Sequence, residues 1–220
     1  MKEADLPKKY AEESVLVCSR AKLELLIHGV GVIPSCNELW AEISNAFPMK
    51  RGIAEENTDV VQLVSYFVVL NNNKLLTHKR SKRQPEKRLV NIKSVGFSGH
   101  IMESDADKLY NFDMFEPSLI TPYINRELAE EVKVKLNPDF PISFVGYIWE
   151  PSDALGKQHL GLMYIVPCDG SFTIMEPGLL TQARFESMVD INSTIDNYTT
   201  WSRMVINYLN NNKNKLGNDI

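Results

Sequence analysis

The longest apolar run in the chain is VVQLVSYFVVL, Val60 to Leu70, interrupted only by Gln62 and Ser65. Its β-branched and aromatic residues predict a strand buried on both faces. The run NNNK, Asn71 to Lys74, then supplies turn residues, and LLTHKR reads as a return strand, so the two form a hairpin. A short strand is predicted around NIKSVGFSG, followed by an irregular, mostly looped stretch from Glu103 to Pro122. Apolar residues then recur with helical spacing over Tyr123–Leu136, and Asn137-Pro138 is a stop. ISFVGYIWE, HLGLMYIVP and SFTIME read as strands, and LLTQARFESMVDI and TTWSRMVINYL as helices. Near the start, SVLVCS predicts a strand and NELWAEISNAF a helix.

Strands and helices in this order predict an α/β sandwich around a mixed sheet. Residues 1–58 read as an N-terminal α/β extension packed on a main domain, 59–209. Residues 210–220 form an Asn-rich tail expected to fray.

Composition narrows the function classes modestly. The chain has 220 residues, 24% of them charged, with a net charge of -4. That balance argues against a generic nucleic-acid binder, which carries a basic excess. The Val60–Leu70 run is too short to span a bilayer, and the charged start MKEADLPKKYAEE lacks a signal-peptide core. Cys18, Cys36 and Cys168 are far apart and odd in number, as expected for reduced thiols in a cytoplasmic protein. His28, His78, His100 and His159 show no metal-ligand spacing, so zinc is not expected. Phosphate-loop, G-x-G-x-x-G and G-x-S-x-G motifs are absent from the sequence.

The chemistry concentrates in NRELAEEVKV, Asn125 to Val134. At about 100° per residue, Ile124, Leu128, Val132 and Leu136 share one apolar arc. Glu127 and Glu131 lie on its shoulder, with Glu130 further round and Glu131 leaning toward the core. Arg126 can reach Glu130 one turn along. Taken alone, E-x-x-E-E is more often a solvated helix face than a site. A partly buried carboxylate, however, is costly unless a cation or donor meets it. A hard cation such as Mg²⁺ suits a few carboxylate oxygens.

Arg126 to Glu131, R-E-L-A-E-E, matches the core of the Nudix hydrolase signature, G-x5-E-x7-R-E-U-x-E-E-x-G-U, with U a bulky aliphatic. GFSGHI, Gly96 to Ile101, resembles the entry to that box, with Gly99 as its first position. The hairpin before it and the paired strands after it resemble the family's order over roughly Asp59 to Leu209. The N-terminal extension and the late Trp201-Ser202 helix resemble a bacterial branch of predicted Nudix phosphoesterases.

The chain also departs from the pattern. Between Gly99 and Arg126 lie 26 residues, where the signature has half as many. The upstream glutamate position falls on Asp105, with Glu103 the nearest glutamate. Lys133 replaces a glycine, so the helix is expected to run on.

The resemblance implies a Nudix-like α/β/α sandwich around a mixed β-sheet and a Mg²⁺- or Mn²⁺-dependent hydrolase. The substrate would be a diphosphate linked to another moiety, such as a nucleoside diphosphate derivative. Glu127, Glu130 and Glu131 would hold the metal, Glu127 and Glu131 would be catalytic, and Arg126 would orient them. Arg80 and Arg88, in the basic run HKRSKRQPEKR, would meet substrate phosphates. Gly99 and His100 would border the substrate. Glu150, Asp153 and Glu176 read as surface acids. Tyr110, Phe112 and Phe115 are stacking or anchoring candidates in the inserted loop. A nucleotide-binding module without hydrolysis is the alternative. The expected partner is a small molecule, with no membrane, no nucleic acid and room for a homodimer.

Overall fold

The computed structural model describes residues 8–83, 90–105, 117–152 and 156–212. Strands β1 (Ser14–Ser19), β2 (Gly31–Ile33), β3 (Phe47–Lys50), β4 (Val60–Asn71), β5 (Lys74–Arg80), β6 (Lys93–Ser94) and β7 (Phe97–His100) precede a helix, Pro117–Glu131. Strands β8 (Val132–Leu136), β9 (Ser143–Trp149), β10 (His159–Ile174) and β11 (Leu180–Ser187) follow, then helices Met188–Ser193 and Thr200–Asn211. The strands belong to a large sheet, and the whole is a mixed α/β fold.

By compactness the chain divides into two interleaved units. The first holds residues 1–65, 99–123 and 144–163; the second holds 66–98, 124–143 and 164–220. Strands β4 and β10 contribute residues to both.

In the first unit the strand order is β4-β10-β9-β2, with β1 on β4 and β3 on β1. Val15, Val17, Ala54 and Val60 form an apolar cluster there, with Met49 and Met102 packed against it. The second unit has the order β11-β5-β4-β10, with β6 on β5 and β8 on β10. Phe67 and Tyr164 pack at 5.9 Å and Phe172 and Phe185 at 5.6 Å within it.

The predicted hairpin is present. Leu70 pairs with Leu75 and Asn71 with Lys74, and Asn72 and Asn73 turn the chain at φ 43° and 62°. Asparagine tolerates that left-handed backbone better than most side chains.

Three expectations are corrected. The carboxylate helix begins at Pro117, inside the stretch expected as loop, and ends at Glu131 instead of Leu136. Residues 132–136, VKVKL, alternate in period two and pair antiparallel with β10, Val132 opposite Ile174 and Leu136 opposite Cys168. Tertiary pairing thus overrides the helical reading, and Lys133 does not extend the helix. SFTIME is not a separate strand, since Ser171–Ile174 continue β10 past a register shift.

The third correction concerns LLTQARFESMVDI. It is strand β11 followed by a short helix that Ser187 caps, its hydroxyl accepting from the Asp190 amide. Gln182 at φ 53° lies in a register shift of β11 between Thr181 and Arg184, which blurs the period-two pattern. At the C-terminus, Asn210 and Asn211 belong to the last helix, and Asn210 exchanges amide hydrogen bonds with Asn192 at 3.1 and 2.8 Å. Residues 213–220 of the expected tail lie outside the described residues.

Candidate active site

Because the helix stops at Glu131, its three glutamates crowd its final turns, where no basic residue stands in the last one. Helix C-termini carry partial negative charge, so each acid there is disfavoured by about 0.3–1 kcal/mol. Burial adds to this cost. Tyr123, Ile124 and Leu128 are buried, and the Glu127 side chain is only 5% exposed on the same face.

Each buried acid has found a basic neighbour. Arg126 Nη1 is 2.5 Å from Glu127 Oε1. Arg80, at the end of β5, places Nη2 3.8 Å from Glu131 Oε1. Glu131 Oε2, in contrast, is buried with no hydrogen-bond partner among the described residues. Burial pushes the Glu131 carboxyl above the usual carboxylate range. Arg80 and the Ser98 amide pull it back down, while Glu176 and Glu130 push it further up. Glu176 is brought near because the Met175 amide donates to the Glu131 carbonyl at 3.0 Å.

Beneath lies Tyr66, buried, whose phenol is raised by burial first and feels both Arg80 and Glu131. Its hydroxyl is 3.0 Å from Ser202 Oγ, and Trp201 packs edge-on against its ring at 5.8 Å. Ser202 also accepts from the Val95 amide at 3.1 Å, tying the last helix to the turn before β7.

The crystal structure of Tm1382, a candidate Nudix hydrolase, superposes on this chain with a TM-score of 0.70 and covers 90% of it and 99% of Tm1382. This is a Nudix fold. Identity to Tm1382 is 21%. Protein YmaB of Bacillus subtilis is 24% identical over 186 residues, 78% of this chain and 82% of YmaB. No family profile matches the chain.

On this Nudix fold the sequence candidates divide. Arg80, Arg126, Glu127, Glu130 and Glu131 belong to the second unit, with Glu130 exposed. Gly99 and His100 belong to the first unit. There the Gly99 carbonyl accepts from Ser65 Oγ at 3.2 Å, and His100 Nε2 faces His159 Nε2 at 3.3 Å. Asp105 is buried, with Oδ2 accepting from the Met102 amide at 3.1 Å, and Glu103 is exposed. Glu150, expected at the surface, is instead buried and accepts from the Ser152 amide at 2.8 Å. Arg88, Tyr110, Phe112, Phe115 and Asp153 lie outside the described residues.

Sequence reasoning missed Tyr66 and Ser98. Tyr66 sits inside an apolar run, and Ser98 contributes only its backbone. Neither leaves a signal in residue type.

The donor set fits a hard cation in chemistry. One buried carboxylate oxygen lacks a donor, and a second buried carboxylate lies one helical turn away. The ligands are not gathered in advance: among the described residues no three His, Cys, Asp or Glu side chains are grouped to hold a metal.

Proposed function

We propose that this protein is a Mg²⁺- or Mn²⁺-dependent phosphohydrolase of the Nudix type. Its substrate is a diphosphate joined to another moiety, such as a nucleoside diphosphate derivative. The observation that carries the reading is the uncompensated oxygen of Glu131, buried on the face that also buries Glu127 at the negative end of the helix. A protein gains nothing in stability from such an arrangement, whereas a cation would satisfy it.

In this reading Glu127, Glu130 and Glu131 hold the cation. When bound, it supplies Lewis-acid polarisation of the phosphoryl oxygens and a more acidic water. Arg126 orients Glu127 through their 2.5 Å contact. The Ser98 amide and Arg80 hold Glu131. Arg80 also offers guanidinium donors to a substrate phosphate, which a forked cation suits, and Arg88, Gly99 and His100 are proposed to assist binding. A carboxylate of the cluster accepts the proton of the attacking water. Glu131 suits that role because burial raises its proton affinity.

Cys18, Cys36 and Cys168 are free thiols, in keeping with a cytoplasmic location. No helix among the described residues is long and apolar enough to cross a membrane.

A second reading, nucleotide binding without hydrolysis, is favoured by Asp105, whose carboxylate is tied to the Met102 amide where the signature places a glutamate. Turnover of a panel of diphosphate compounds with Mg²⁺ or Mn²⁺, with products identified by mass spectrometry, separates the two. Metal-dependent cleavage supports the hydrolase. Saturable binding without products supports the module.

A further inference from the structure

His100 closes β7 and His159 opens β10, both within the first unit. The chain separates them by 59 positions, yet their Nε2 atoms face one another at 3.3 Å, with ring centroids 5.3 Å apart and planes at 71°. A hydrogen bond donated by a nitrogen usually spans about 2.7–3.2 Å. Two imidazole nitrogens on one tetrahedral ion, each about 2.0–2.1 Å from it, stand about 3.3–3.4 Å apart. The observed separation matches the second geometry better than the first.

We propose that His100 and His159 form a binding site for a zinc-class transition-metal ion, held between their Nε2 atoms and made from none of the carboxylates of the Glu127–Glu131 helix.

The surrounding charge permits it. Arg51 acts on His100, but Arg51 is itself bound at 3.2 Å to Glu13 and at 3.2 Å to Glu55, so two carboxylates offset one guanidinium. Burial, then His159 and Arg51, hold the His100 ring well below its ordinary pKa. It is therefore neutral at physiological pH, the form that ligates metal, and no proton must be expelled on binding.

The site is small. Among the described residues no third His, Cys, Asp or Glu joins the pair, so water completes the coordination sphere. Such a site exchanges its metal more readily than a closed structural zinc centre. Ligand type also sorts the metals, since imidazole suits zinc, cobalt, nickel and copper, while carboxylate oxygens suit magnesium and manganese.

The test is titration of the full-length, metal-free protein with Co²⁺, read by visible d–d absorption, followed by displacement with Zn²⁺ in calorimetry. Wild type should take up one ion through this site. Affinity should fall tenfold or more in His159→Asn and in His100→Gln, and should persist in Glu131→Gln. Absence of uptake by wild type, uptake unchanged in both histidine variants, or loss in Glu131→Gln alone would overturn the site. Should the histidine variants fail to fold, the nitrogen-15 resonances of wild-type histidines decide. Zn²⁺ should move Nε2 of His100 and His159 and leave His28 and His78 in place. Shifts confined to other histidines, or none, refute the proposal.

Discussion

Arg80 and Glu131 face each other at 3.8 Å across the second unit, and only one oxygen of that carboxylate has a cationic neighbour. The contact is too long for a hydrogen bond, so it is an electrostatic partnership between two largely buried groups. It leaves Glu131 half-satisfied, and the response of the molecule to cations and to mutation should follow from that state.

Millimolar Mg²⁺ or Mn²⁺ should raise the melting temperature, because a ligand specific for the native state stabilises it by mass action. Glu131→Gln should remove most of the rise. It should also make the metal-free protein at least as stable as wild type, since it replaces a buried charge. Thermal melts of both proteins with and without cation test this, and an equal rise in the variant places the cation elsewhere.

Catalysis and charge separate at Glu127. Glu127→Gln retains size and helix propensity, so folding should survive while kcat/KM falls by orders of magnitude on whichever diphosphate is cleaved. Arg126→Gln should lose less, because it orients a ligand without holding the ion. Full activity in folded Glu127→Gln would remove this residue from the catalytic machinery.

Arg80→Gln should destabilise the protein by about 1–3 kcal/mol by stripping Glu131 of its cation. In the double variant Arg80→Gln/Glu131→Gln much of that loss should return. Urea unfolding around the full mutant cycle measures the coupling, and simple additivity would mean that the pair contributes nothing.

A different carboxylate governs acid stability. Glu186 accepts from Thr77, Lys93, Arg184 and Tyr198. Burial works to raise its pKa, but these partners together bring it from 4.5 down to about 2. A depressed acid contributes stability above its unfolded value that is lost as pH falls through the folded one, here between about 4.5 and about 2. The full contribution is on the order of 3 kcal/mol. Glu186→Gln should lose stability at neutral pH and flatten the acid limb. A limb as steep as in wild type would assign the acid sensitivity to other groups.

Packing makes the last prediction. A methyl on Gly96 would overlap the Tyr66 ring, which is itself held by Ser202 and Trp201. Gly96→Ala should therefore cost about 1–3 kcal/mol. Cation-induced stabilisation should weaken as well, because the turn leads into Ser98, whose amide holds Glu131. Calorimetric melts with and without Mn²⁺ read both effects.

The sequence by itself determined the β4–β5 hairpin, the apolar face of the carboxylate helix and the lean of Glu131 toward the core. Each follows from residues near one another in the chain, through period-two or helical spacing and the tolerance of asparagine for left-handed turns. Tertiary structure decided the rest. It ended the helix at Glu131 by pairing Val132–Leu136 with β10, and so put three acids at a helix terminus. It made LTQARFES a strand by pairing it with β5. It also chose Arg80 as the neighbour of Glu131 and brought together two histidines that their spacing in the chain had kept apart. Periodicity reports which face of an element is buried. What meets that face depends on strand pairing between distant segments, and no local pattern of residues encodes it.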